Sequence, residues 1–452
     1  MKKTFLLAIL LLPLLIATCK KEDRVLSSTS ANKDKEQIKN DNVNSSGHIK
    51  IAVLSDVHYM DRSLFTNGAG TGLPFQTYLM DNPNKVLQAF SADIFEKVLD
   101  ELRYENPNII LIAGDMTKDG EKVSHDQVAI LLHQLQNANR KVFVVPGNND
   151  INNTTALGYN GNHSYSVSNI PPSYFSTVYS DFGYNGTDRD PNSLSYLVKP
   201  YPGLWILGID AVKYAPKVSR SGVIKSATME WIKTQLQKAK DSNAVVFGLM
   251  HHNLIEHFDG QSGGAFTSTV VDNWRASSDS LSSWGLKIIF TGHNHSTDIA
   301  ERDTLGRTLY DIETGSLVTA PTSYMILELK NKELDISTIH VKSIGSVLPD
   351  SVDFQTYSRE ALIGLLDQWF PRVLQGPLFS IPSQFAAQGT PLARNAYMAH
   401  MAGDEKISPQ EQVALNNYYG LVSNMAFENT INSLWTDNGV KDLKWHIKLT
   451  NP

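Results

Sequence analysis

Cysteine occurs once in the 452 residues, at Cys19. A chain with one cysteine forms no internal disulfide, so its stability has to come from a hydrophobic core. Dense clusters of lysine and arginine are missing too. The net charge is −6, with 40 basic against 46 acidic side chains, a balance that gives no reason to expect nucleic acid as a constitutive partner. Internal repeats are lacking, which excludes the repeat architectures. The apolar run at the amino terminus, Phe5–Ile16, is shorter than the roughly 20 residues that a membrane-spanning helix needs.

That run is nonetheless informative. It follows Met1-Lys2-Lys3 and precedes Ala17-Thr18-Cys19, the order of charge, apolar stretch and small residues found in a secretory signal. Ile16-Ala17-Thr18-Cys19 is similar to a lipobox, so the expectation is a lipoprotein-type signal over residues 1–19 and a lipid anchor on Cys19, with a plain signal peptide as the alternative. The segment 20–48 is mostly Ser, Asn, Lys, Asp and Glu. It has too little to bury to offset its ordering entropy and is expected to be a disordered tether. An exported, membrane-anchored location follows as an expectation.

The chemistry lies in five short segments in a fixed order: Ser55-Asp56-Val57-His58, Gly114-Asp115, Gly147-Asn148-Asn149-Asp150, Met250-His251-His252 and Gly292-His293-Asn294-His295. Each follows a run of β-branched and aliphatic residues: Ile49–Leu54, Ile109–Ala113, Val142–Val145, Val245–Leu249 and Ile288–Thr291. Each therefore reads as a strand running into a ligand-bearing loop. Helical patterns lie between them, with Phe90, Ile94, Val98 and Leu102 on one face and Ile232, Leu236 and Ala239 on another. The alternation predicts a layered α/β domain with its site outside the carboxyl ends of the strands. The segments offer carboxylate, imidazole and one amide, but no thiolate. That set suits two divalent metal ions activating a water against a phosphate ester.

In order and spacing these segments strongly resemble the calcineurin-like metallophosphoesterases, from about Ile49 to Ile344. The resemblance implies a four-layer β-sandwich flanked by helices over residues 49–346. It also implies a dinuclear metal-dependent hydrolase of phosphate mono- or diesters, acting by in-line attack of a hydroxide held between the ions. Position by position, Asp56, His58 and His295 match the ligands of one ion, Asn148, His251 and His293 those of the other, and Asp115 the carboxylate between them. Imidazole ligands favour Mn, Fe, Zn or Ni over calcium. Family spacing makes His251 the ligand of its pair and gives His252 a supporting or substrate-facing role. One departure stands out. The family usually has a histidine where this chain has Asn149, and an amide cannot deliver a proton to a leaving oxygen. His252 and His163 are candidates to replace it. The alternative function is a degenerate relative that binds phosphorylated or nucleotide-like ligands with little turnover.

Two long connections, Tyr59–Lys85 and Ile151–Asp190, leave from ligand-bearing strand ends, and a Gly-rich segment, Asp259–Phe266, follows the His-His pair. All three are expected to rim the metal site. Residues 347–452 read as a small α-helical C-terminal region. Leu362, Leu365, Leu366 and Trp369 form a stripe there, and Ser408-Pro409-Gln410-Glu411 a capping box followed by apolar residues through Leu421, Met425 and Trp435. The stretch Ala399–Glu405 could reach the substrate or lie on the surface.

Overall fold

The computed structural model describes residues 47–449 apart from 137–138, 216–218, 264–268, 347, 349–351 and 438. The signal segment, Cys19 and nearly all of the tether lie outside the described residues, as does part of the Gly-rich segment.

Every apolar run before a ligand loop is a strand. Ile49–Leu54 lies at the centre of a six-stranded sheet, parallel to Ile109–Ile112, which in turn pairs in parallel with Lys141–Val144. On its other side Ser323–Lys330 and Glu333–His340 continue the sheet in antiparallel fashion. Val245–Met250 and Ile288–Thr291 are neighbours in a seven-stranded sheet, flanked by the parallel strands Leu204–Ile209 and Arg307–Glu313. Consecutive residues such as Val53 and Leu54, or Ile110 and Leu111, are all fully buried. Strands buried on both faces need cover on both faces.

The alternation of side chains shows how this is achieved. Phe247, Leu249, Ile288 and Phe290 join Ile51, Val53, Ile109 and Met325 in one core between the sheets. Their neighbours Met250 and Ile289 point to a second core, beneath helices Ser226–Asp241 and Trp274–Ser283. Helices Ser91–Glu105 and Lys122–Leu135 add Phe95, Val98 and Leu132 to the first core. The result is the expected helix–sheet–sheet–helix sandwich.

The two long connections are not bare loops. Phe65–Thr66, Leu157–Asn160 and His163–Ser166 form a three-stranded sheet, packed with helix Leu73–Asp81 around Met60, Leu64, Phe75 and Tyr159. The C-terminal region contains helices Phe354–Gln375, Ser383–Ala402, Pro409–Val422 and Met425–Leu434 around a core of their own. Leu362 and Leu366 enter that core as expected, and the Ser408–Glu411 capping box is formed.

The apolar pattern beyond the capping box needs correction. Leu421 and Met425 are 51% and 75% exposed, and Leu415, Tyr418, Phe427 and Ile431 are buried instead. Ser423 adopts a left-handed conformation that ends one helix, and Asn424 caps the next. A helical period counted across that break assigns the wrong face. A further strand, Lys444–Lys448, returns to pair with Glu333–His340 and becomes the edge of the six-stranded sheet.

Candidate metal centre

The five loops converge at the carboxyl ends of the central strands, and their backbone is forced there. Asp56, His58, Asp115, His293 and His295 all have positive φ, between 46° and 78°. Such values are uncommon outside glycine, and finding five together on ligand-type side chains marks a site that the surrounding fold holds in place. Two glycines make room for the close approach. A Cβ on Gly292 would lie 1.7 Å from Ser55 Oγ and 2.5 Å from Asp56 Oδ2, and one on Gly147 would lie 2.1 Å from Asp115 Oδ1.

Two groups of buried donors result, Asp56 with His58 and His295, and Asp115 with His251 and His293. In the first, His58 Nε2 and His295 Nε2 are 3.2 Å apart, and Asp56 Oδ1 lies 3.6 and 3.3 Å from them. In the second, His251 Nε2 is 3.1 Å from both His293 Nδ1 and Asn148 Oδ1. Asp115 Oδ2 stands between the groups, 3.7 Å from His58 Nε2 and 3.4 Å from His251 Nε2.

Outer partners fix which ring nitrogens face inward. His251 donates Nδ1–H to the Ala113 carbonyl at 2.7 Å, and His295 donates from Nδ1 to Thr319 Oγ1 at 2.7 Å. Both Nε2 atoms are thereby left with a lone pair pointing into the site. Asp56 Oδ2 accepts from Ser55 Oγ and the His293 amide, whereas its buried Oδ1 has no hydrogen-bond partner among the described residues. Imidazole nitrogens that face each other at 3.1–3.2 Å around a carboxylate oxygen with no hydrogen-bond partner suit a cation between them. The donor set therefore fits two metal ions.

The charges agree. Burial alone would lower the His251 imidazole, but the Asp115 and Asp56 carboxylates override it and raise it to about 9. Asp115, which burial would raise, is instead held well below the usual carboxylate range by His251 and His58. Asp150 acts behind the loop, accepting from the amides of Gly147, Met116 and Thr117.

All seven predicted ligand positions therefore meet. His252 does not join them. It is buried, and its Nε2 donates to the Arg220 carbonyl at 3.1 Å, so it supports the Arg220 segment. His163 is exposed on strand His163–Ser166. Asn149 is turned toward Asp115, with its backbone amide on Oδ1 at 2.8 Å and its side-chain amide on Oδ2.

A cavity of about 300 Å³ opens over the centre, lined by Asp115, Asn148, Asn149, His293 and His295 on one side. Its opposite wall is the C-terminal region, through Trp369, Tyr397, His400 and Leu434. The stretch Ala399–Glu405 thus borders the site through His400. A second cavity of about 460 Å³ shares Asn148, Asn149 and Arg220 and runs under the long connections, where Tyr78, Thr155, Tyr159 and Ser164 line it. Lys85 and Arg220, the basic residues lining the first cavity, were missed in the sequence. Each is an isolated basic residue, Lys85 at the end of a short 3-10 turn and Arg220 in a loop, and only the fold brings it to the site.

The sequence model described as calcineurin-like phosphoesterase matches residues 49–297. No curated protein sequence matches the chain. Among solved structures, the chain is similar to a dimetal phosphatase from Danio rerio at 14% identity and a TM-score of 0.43, covering 65% of this chain and 96% of that one. It is similar to a purple acid phosphatase from yellow lupin (Lupinus luteus) seeds at 10% identity and a TM-score of 0.41, covering 65% and 52%. These likenesses are too distant to carry an argument about function.

The close packing at Gly147 can be tested directly. Gly147→Ala drives a methyl group against Asp115, and overpacking of this kind costs about 1–3 kcal/mol. Urea denaturation should show that loss. Gly263→Ala meets no atom within 4 Å among the described residues and should stay within about 0.5 kcal/mol of wild type. Equal stability of the two variants would contradict the packing described.

Proposed function

Because the chain belongs to the calcineurin-like phosphoesterase family, we propose that it hydrolyses phosphate esters with two divalent transition-metal ions. Asp56, His58 and His295 would hold one ion, Asn148, His251 and His293 the other, and Asp115 both. The observation that carries this reading is Asp115 Oδ2 lying between His58 Nε2 and His251 Nε2, at 3.7 and 3.4 Å. When bound, such ions supply an activated water and absorb charge developing on the phosphoryl oxygens.

The chain's own residues do the remaining work. Arg220 is exposed beside the centre and borders both cavities, where its guanidinium suits a phosphate in two-point contact. The second cavity would receive the ester's alcohol, whose hydroxyls Thr155, Ser164 and the neighbouring amides can bond. Asn149 orients Asp115 and holds no proton to give. With His252 Nε2 committed to the Arg220 carbonyl and His163 on the surface, neither candidate substitute presents an acid to the leaving oxygen. Export and lipid attachment at Cys19 complete the proposal. No helix among the described residues is long and apolar enough to cross a membrane.

Elemental analysis of metal-reconstituted wild type is expected to approach two transition-metal ions per chain, apart from any ion held elsewhere. Asp115→Asn should lose most of that metal and most turnover of a chromogenic phosphate ester while remaining folded. Ions retained without any turnover would instead favour the binding-only relative.

Turnover should depend steeply on leaving-group pKa, since general acid catalysis contributes about 10²–10⁴-fold where it operates. Nitrophenyl esters should far outrun alkyl esters of similar size, and Asn149→His should narrow the gap by raising alkyl-ester turnover. A shallow dependence in wild type would place a proton donor elsewhere in the cavity.

In a lipoprotein-competent cell, labelled fatty acid should enter the wild-type chain and not Cys19→Ala. An unlabelled wild type would overturn the anchor.

A further inference from the structure

A third group of buried ligand-type side chains lies apart from the centre described above, on the seam between the seven-stranded sheet and the C-terminal helices. Asp298 opens strand Asp298–Thr304, His400 sits in the last turn of helix Ser383–Ala402, and Glu405 follows that helix. They are 2%, 1% and 9% exposed. His400 Nδ1 lies 3.1 Å from Glu405 Oε1 and 3.6 Å from Asp298 Oδ2, and one ligand atom from each residue lies within 4.8 Å of the others. We infer that Asp298, His400 and Glu405 form a further metal site, for a single zinc-like divalent transition ion.

The geometry suits such an ion. Donors bonded to a tetrahedral ion at about 2.0–2.1 Å stand roughly 3.4 Å apart, and the two measured separations fall on either side of that value. One imidazole and two carboxylates leave a fourth position for water. They are too few oxygens for calcium, which takes about 6–8.

Charge points the same way. Asp442, also buried, adds a third carboxylate, its Oδ1 accepting from the Ile299 amide. Among the described residues no lysine or arginine pairs with Asp298, Glu405 or Asp442. The cationic partner at hand is the imidazole of His257, which also faces Asp311, while burial lowers the His400 imidazole to about 4. Buried carboxylates need compensation by paired positive charge. The two oxygens of Asp298 face different imidazoles. Its Oδ1 takes a hydrogen bond from His257 Nδ1 at 3.0 Å, while its Oδ2 is aimed at His400 beyond hydrogen-bond range.

Supporting partners are in position as well. His257 holds Asp298, and Asn294 Nδ2 lies 3.5 Å from His400 Nε2. With an ion on Nδ1 the ring proton moves to Nε2, and the Asn294 carboxamide has to rotate to accept it, giving up its bond to Ser296 Oγ at 3.2 Å. The ion would fasten the end of helix Ser383–Ala402 to the sheet beside the His293–His295 loop, and so fix one wall of the cavity. The rival arrangement is a plain hydrogen bond from His400 Nδ1–H to Glu405, with no ion.

Titration of metal-stripped, full-length protein with Co²⁺ separates them. Glu405→Gln and His400→Ala should each bind one equivalent fewer than wild type. Asp115→Asn should keep a Co²⁺ site whose visible absorption, and whose rise in Tm on Co²⁺ addition, disappear when Glu405→Gln is combined with it. Glu405→Gln is nearly isosteric, so it decides the matter if His400→Ala does not fold. A folded Glu405→Gln that binds as much Co²⁺ as wild type overturns the inference. The site does not rest on the two-ion reading: Asp115→Asn binding as much as wild type would damage that reading, while a missing equivalent in Glu405→Gln would still support this one.

Discussion

Two imidazole pairs whose nitrogens face each other at 3.1–3.2 Å, with Asp56 and Asp115 beside them, are the constraint on which the architecture depends. Burying that many donors and acceptors together is unfavourable unless positive charge is shared among them. The chain meets this with outer bonds that fix one ring of each pair, through Ala113 and Thr319, and with a cradle that suits cations. It accepts positive φ at five of the converging side chains because strands buried on both faces hold the loops in place. Strain at the site is supported by the packing of the sandwich.

The same logic explains the placement of the peripheral elements. The small sheet from the two long connections and the four C-terminal helices have their own apolar clusters, so each packs as a unit and can present polar side chains at its edge. One supplies Tyr78, Tyr159 and Thr155 to the second cavity, and the other supplies Tyr397 and His400 to the wall of the first. Reactive centre and substrate walls thus belong to different layers. Changes in the walls can reshape the cavities without disturbing the converging donor groups.

Asn149 shows how one residue connects these levels. Its amide groups are bonded to the Asp115 carboxylate, so it shapes the carboxylate between the two donor groups. A residue with this role steadies the carboxylate but offers no titratable group of its own.

The sequence alone determined the strands, their ligand loops and the identity of the converging side chains. Those signals are local: a β-branched run buries itself whatever lies beyond it, and Asp or His at the strand end is exposed to whatever the neighbouring strand end offers. It also determined the helices at Ser226–Asp241 and Ser91–Glu105 and the capping box at Ser408, where period and cap lie within one segment. Only the tertiary structure decided that the C-terminal helices wall the cavity, that Leu421 and Met425 face solvent after the break at Ser423, and that Lys444–Lys448 returns to the first sheet. Only it brought Arg220 to the site, joined His252 Nε2 to the Arg220 carbonyl, and gathered Asp298, His400 and Glu405 from distant segments. Each of these outcomes depends on contacts between residues far apart in the chain, and a single sequence carries no local periodicity that encodes them.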